Sequence, residues 1–264
     1  MSNCTPASLR QMKAQGEPIP CLTCYDASFA RLLEAAGVPV LLVGDSLGMV
    51  VQGQKSTLPV TLDQMIYHSA CVARGRRRAL LVADLPFLTY SDPKQALKSA
   101  ARLMQEGGAQ MVKLEGGFSV LETVQLLTDW GIPVCGHLGL LPQSVHRLGG
   151  YRYQGRDAAS AQRIREEALA LQEAGAELLI LECVPADLAR SLRAALRIPV
   201  IGIGAGPDCD GQILVLYDLL GLNPQPPRFS RVFLQGGRDL AGAVRAYVEA
   251  VQSRTFPGPE ETRY

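Results

Sequence analysis

Six ionisable side chains stand where apolar runs of this sequence end: Asp45 in VGD, Asp84 in VAD, Lys113 and Glu115 in VKLE, His137 in CGH and Glu182 in LILE. Burying a charge without a partner is costly, so charges that recur at such positions must share partners, a metal or a substrate. Asp45, Asp84 and Glu115 offer hard carboxylate oxygens, and no His-rich or Cys-rich spacing accompanies them. That donor set suits Mg²⁺ or a similar divalent ion better than zinc, with waters or substrate oxygens completing the shell. A 2-keto acid could chelate the ion through one carboxylate oxygen and its keto oxygen, and the ion would stabilise the enolate left when an α-proton departs. Glu182 is the candidate to take that proton. Lys113 would balance the substrate carboxylate or the enolate, and His137 would donate to the same oxygens. The competing reading is that each group merely caps a strand or pairs with a neighbouring loop; its recurrence on five strands favours a common site.

The elements that must position these residues follow one unit repeated with variation, a short run rich in Val, Ile and Leu, a polar loop, and a segment of helical period. The expected strands lie in residues 19–25, 38–45, 79–86, 109–116, 132–139, 176–183, 198–205 and 213–220. Near-continuous apolar strands are expected when a parallel sheet is covered on both faces, and helical stretches such as 27–36 and 92–105 supply the cover. Eight such units predict a single α/β domain over residues 1–264, a (β/α)8 TIM barrel with a short N-terminal extension and a polar, extended tail from about Thr255. Segments such as EAAGVPV, TDWGIPV and QEAGAELL end a helix and restart a strand within a few residues. The longer connections, 44–62 and 137–155, fall on the face where such barrels place active sites. Strand alternation sends Lys113 and Glu115 to one side and Val112 and Leu114 to the other, so both polar groups can point towards the barrel axis.

Composition narrows the function classes. Twenty-six Lys and Arg against 25 Asp and Glu leave a net charge of +1, too little for a nucleic-acid partner. No apolar run approaches the roughly 20 residues of a membrane span, and the N-terminus lacks the apolar core of a secretion signal. The expected location is the cytoplasm. The seven cysteines read as thiols of a reducing compartment. Cys21 and Cys24 form a CxxC, but inside a strand pattern, where buried structural thiols are expected. The run RGRRR at 74–78 reads as a solvated turn, and His68 and His146 as helix residues of structural role. The glycine-rich segment 202–211, GIGAGPDCDG, could offer backbone N–H groups to an anion.

Blocks in chain order, TCYDASFA, VGDSLGMVVQGQKSTLPVTLDQMIYH, LLVADLPF, GAQMVKLEGG, PVCGHLGLLPQSV, GGYRYQGR, LLILECVP and IPVIGIGAGPDCDGQILV, make the sequence resemble the ketopantoate hydroxymethyltransferase family. The resemblance implies a barrel related to phosphoenolpyruvate and isocitrate-lyase enzymes. It further implies transfer of a hydroxymethyl group from 5,10-methylenetetrahydrofolate to 3-methyl-2-oxobutanoate, giving 2-dehydropantoate for pantothenate and coenzyme A synthesis. By the matching blocks Asp45 and Asp84 resemble the family's Mg²⁺-site aspartates, Glu115 its metal-site glutamate, Ser46 and Lys113 its keto-acid contacts, His137 a substrate-side histidine and Glu182 the acid/base. A homodecamer is implied as well. The sequence departs from the family at Tyr153, often aliphatic there, and at 223–228, here NPQPPR; the expected consequences lie at a lid and a loop edge.

Three other readings compete. Another Mg²⁺-dependent keto-acid enzyme on the same barrel is one, but the KKCGH-type cysteine loop of isocitrate-lyase relatives is replaced by DLPFLTYSDP. A nicotinamide oxidoreductase would need GxGxxG in an early βαβ unit. A non-catalytic keto-acid sensor would have no use for Glu182.

Overall fold

The apolar runs and helical segments alternate because each strand is covered by the helix that follows it. In the computed structural model, which describes residues 3–262, the strands are β1 (Ile19–Thr23), β2 (Val40–Val43), β3 (Leu80–Asp84), β4 (Met111–Glu115), β5 (Val134–Gly139), β6 (Leu178–Glu182), β7 (Val200–Ile203) and β8 (Gly211–Leu214). They pair in parallel, in chain order, and β1 pairs with β8 to close the barrel. The helices are α1 (Pro6–Gln15), α2 (Ala27–Ala35), α3 (Leu47–Val50), α4 (Leu62–Gly75), α5 (Pro93–Gln105), α6 (Leu121–Asp129), α7 (Val145–Leu148), α8 (Ala158–Glu173), α9 (Ala186–Ala195), α10 (Leu216–Leu219) and α11 (Leu240–Gln252). Asp26 and Asp92 start α2 and α5 by accepting from the first-turn N–H groups. Among the described residues no helix is long and apolar enough to cross a membrane.

Strand alternation divides the apolar side chains between two cores. Val40, Leu80, Met111, Leu178 and Ile213 fill the barrel interior, while Leu41, Leu81, Val112, Leu179 and Leu214 pack outwards against the helices. The N-terminal extension is the helix α1, which plugs the N-terminal end of the barrel. Leu9 is fully buried against the interior core, and Lys13 Nζ lies 2.8 Å from the Asp210 carboxylate.

Two expectations are corrected, and the segment between β7 and β8 is short. The run 213–220 is not one strand: β8 begins earlier, at Gly211, and the chain turns into α10 at Leu216. The glycine-rich segment 202–211 joins two strands. Gly202 belongs to β7 and Gly211 to β8, the link carries no helix, and the Gln212 side chain donates to the Gly206 carbonyl at 3.0 Å. The tail is not extended. Phe256 is buried beside Phe233 and Tyr247, and Glu261 accepts two hydrogen bonds of 2.8 Å from Arg231, so an apolar anchor and an ion pair fold it back; Arg263 and Tyr264 lie outside the described residues.

Candidate active site

Register brings the predicted site residues together at the C-terminal rim. Asp84 and Lys113 are direct partners across β3 and β4, and Glu115 and His137 across β4 and β5. Glu182 ends β6 opposite Gly139. Asp45 and Ser46 follow β2 in the turn that opens α3. All seven predicted residues line one cavity of about 660 Å³, within the range of small-molecule sites.

The contacts form a continuous network. The Asp45 backbone N–H donates to Asp84 Oδ2 at 3.0 Å, and the Lys113 ammonium pairs with Asp84 Oδ1. His137 lies between two carboxylates, with Nδ1 3.6 Å from Glu115 Oε1 and Nε2 3.3 Å from Glu182 Oε2; neither ring nitrogen makes a well-aligned hydrogen bond. Ser46 Oγ lies 2.9 Å from the Tyr25 hydroxyl. Gly139 brings β5 against β6 where Glu182 sits. Its φ is +95°, and a Cβ there would collide with the Glu182 carbonyl oxygen.

Electrostatics assign roles. Burial alone would discharge Lys113, but Asp84, Glu115 and Asp45 outweigh it and raise its pKa, so it stays an ammonium and cannot act as the base. Burial and Lys113 also push His137 down, yet Glu115 and Glu182 lift it to about 9, leaving an imidazolium donor. Asp45 is pushed up to about 8 by burial, then by Asp84 and Glu115. The Glu182 side chain is 15% exposed, against 3% for Asp84 and Glu115, and so is the carboxylate most open to a substrate. Four carboxyl groups therefore surround one ammonium and one imidazolium and offer oxygen donors only, which fits a hard divalent cation. Among the described residues no three His, Cys, Asp or Glu side chains gather closely enough to hold an ion alone.

Gln143 was missed by sequence reasoning. Buried between α7 and β5, it donates from Nε2 to Asp45 Oδ2 at 2.9 Å and to the Leu85 carbonyl at 3.0 Å. Its backbone N–H donates to Glu115 Oε2 at 3.0 Å, and its Oε1 accepts from the Tyr90 hydroxyl at 2.6 Å. Cys21 and Cys24 are both buried but face the inner and outer cores respectively, because an offset of three residues in a strand reverses the face. Of the run 74–78, expected as a solvated turn, Arg74 and Gly75 close α4 and Arg76 is half-buried, while Arg77 and Arg78 are exposed and their backbone N–H groups donate to Glu34. His68 Nδ1 meets the Tyr25 carbonyl at 2.8 Å, and His146 is exposed on α7. Tyr153 and the 223–228 stretch were expected at a lid and a loop edge; Tyr153, Asn223 and Arg228 line the cavity itself.

A parallel barrel with carboxylates, an ammonium and an imidazolium around one rim cavity defines a (β/α)8 enzyme of acid–base chemistry. The model of the ketopantoate hydroxymethyltransferase family matches residues 3–259. The 3-methyl-2-oxobutanoate hydroxymethyltransferase of Nitrosococcus oceani is 62% identical over 258 residues, covering 97% of this chain and 98% of the relative. That of Halorhodospira halophila is 60% identical over 256 residues, covering 97% and 93%. The chain belongs to the ketopantoate hydroxymethyltransferase family and is an enzyme of that kind. Among solved structures, the phosphoenolpyruvate phosphomutase from Streptomyces platensis subsp. rosaceus aligns with TM-score 0.61 at 14% identity, covering 82% of each chain. A 2,3-dimethylmalate lyase of the PEP mutase/isocitrate lyase superfamily aligns with TM-score 0.58 at 17% identity over 98% of this chain and all of that one. These two share the barrel fold.

Proposed function

We propose that this cavity deprotonates 3-methyl-2-oxobutanoate at C3 and presents the resulting carbon nucleophile to the one-carbon unit of 5,10-methylenetetrahydrofolate. The products are 2-dehydropantoate and tetrahydrofolate, with one water taken up. The observation that carries this reading is the separation of roles on the rim: a cation that stays charged, a doubly carboxylate-flanked imidazolium, and one carboxylate left open to the cavity. Lys113 and Ser46 hold the keto-acid oxygens. Glu182 takes the C3 proton. His137, already protonated between Glu115 and Glu182, keeps the acid/base oriented and donates to oxygens that gain charge. Asp45 and Asp84 would hold Mg²⁺, with Glu115 completing the anionic wall around it. Bound there, the ion would polarise the keto oxygen and acidify the tertiary C–H.

Asp84→Ala tests the assignment. It removes a metal oxygen and the partner of Lys113, so kcat in saturating Mg²⁺ should collapse by about a thousandfold or more; a near-normal rate would refute it. By family resemblance the enzyme works as a homodecamer in the cytoplasm, and sedimentation of the purified protein tests the assembly.

A further inference from the structure

The cavity is far larger than a five-carbon keto acid, and away from the charged rim its wall carries a carboxylate that the reaction as described leaves unused. We infer that Asp218 holds the pterin ring of the folate co-substrate, accepting hydrogen bonds from the ring's N3–H and 2-amino group. The inference rests on the hydroxymethyl-transfer reading and deepens it. Asp218 lies on α10, just after β8, and lines the cavity. Only 3% of it is exposed. Its Oδ1 accepts from Asn223 Nδ2 at 2.7 Å, and among the described residues no Lys, Arg or His forms an ion pair with it. A buried carboxylate answered by a single neutral amide is costly unless a ligand supplies further donors.

The pterin edge does so. N3–H and the 2-amino group present two parallel N–H donors on a planar unit, the arrangement by which guanidinium groups bind carboxylates bidentately. The cavity that Asp218 lines also offers Leu214, Val215 and Phe229 to the faces of the bicyclic ring, beside the polar Asn223, Gln225 and Arg228. Tyr217, the residue before Asp218, sets its ring 5.8 Å from that of Tyr25, whose hydroxyl contacts Ser46 at 2.9 Å. A ring seated there stands beside the keto-acid corner, as transfer of a one-carbon unit requires.

The test compares tetrahydrofolate with its 2-desamino analogue by calorimetry on the intact enzyme with Mg²⁺ and 3-methyl-2-oxobutanoate. The wild type should bind tetrahydrofolate roughly ten- to a hundredfold more tightly than the analogue, the loss expected when a charged acceptor loses its donor. Asp218→Asn should weaken tetrahydrofolate by a similar factor and erase the preference. Asn223→Ala, which removes only the internal hydrogen bond, should keep it. Equal binding of the two ligands by the wild type, or a preference that survives Asp218→Asn, overturns the assignment, and so does an Asp218→Asn loss equal for both ligands. Exchange of the C3 proton by the wild type in deuterated water, without folate, reports separately on the keto-acid reading: exchange with no tetrahydrofolate preference overturns the pterin site alone, and absence of exchange overturns both.

Discussion

Gln143→Leu isolates a side chain that ties Asp45 to the segment after Asp84. The change keeps size and the backbone N–H to Glu115, and it removes three hydrogen bonds, to Asp45, to the Leu85 carbonyl and from Tyr90. The bond to Asp45 is charge-assisted once that carboxyl ionises, above about pH 8 or with a cation bound, and is then worth about 1.5–3 kcal/mol; each of the two neutral groups left behind costs about 1–3 kcal/mol if it stays dry. Water from the adjoining cavity can reach part of this polar space, so the lower ends apply and the sum is about 3–5 kcal/mol of folding stability. Asp45 loses the donor that lowers its pKa, so it holds its proton more firmly and competes less well for a cation. Groups that orient metal ligands in this way are worth about ten- to a hundredfold in metal affinity. Titrating kcat against Mg²⁺ should therefore show a half-saturating concentration raised by that factor, with much of the maximal rate recovered at high Mg²⁺. An unchanged Mg²⁺ requirement in a folded variant would refute the reasoning.

Other predictions follow from the same network. Asp45, pushed up to about 8 mainly by burial, retains in the fold a proton that the unfolded carboxyl has lost. That stabilisation is complete below the ordinary carboxyl range and is lost as pH rises through about 8; the raised His137 adds a loss of the same sign near 9. Because Mg²⁺ favours the ionised carboxylates, its upward shift of the thermal midpoint should grow between about pH 5 and 8, and a shift that shrinks over that range would contradict the site. Gly139→Ala places a methyl group against the Glu182 carbonyl at a φ of +95°; it should cost upwards of about 2 kcal/mol in denaturant unfolding and lower kcat about a hundredfold by displacing Glu182. Wild-type kcat in that variant would show that Glu182 tolerates displacement.

What could be read from sequence was what has a short period. Lys113 and Glu115 face inwards because alternate strand residues do, and the register then places Asp84 and His137 beside them. The eighth unit resisted for the opposite reason. ILVLYDLL is apolar throughout, and hydrophobicity alone does not separate a short strand from a buried helical turn. The strand starts at Gly211 because only a residue without Cβ can approach the Ile19 carbonyl there, a constraint set by a residue 192 positions earlier. Gln143 left no signal because its side-chain partners Asp45, Leu85 and Tyr90 lie 53 to 98 residues away. The tail's fold depends on Arg231 and the Phe233–Tyr247 pair, which nothing near Thr255 announces. Asp218 was hidden inside the same apolar run, and only the cavity wall makes it conspicuous.

The central claim is that Glu182 removes the C3 proton of the keto acid in a cavity that binds Mg²⁺. Proton NMR of 3-methyl-2-oxobutanoate in deuterated water with enzyme and Mg²⁺, and no folate, measures that step alone. The account predicts loss of the C3–H signal with the wild type, abolished by a chelator and by Glu182→Gln. Exchange that persists in Glu182→Gln at the wild-type rate, or that never occurs with the wild type, would contradict it.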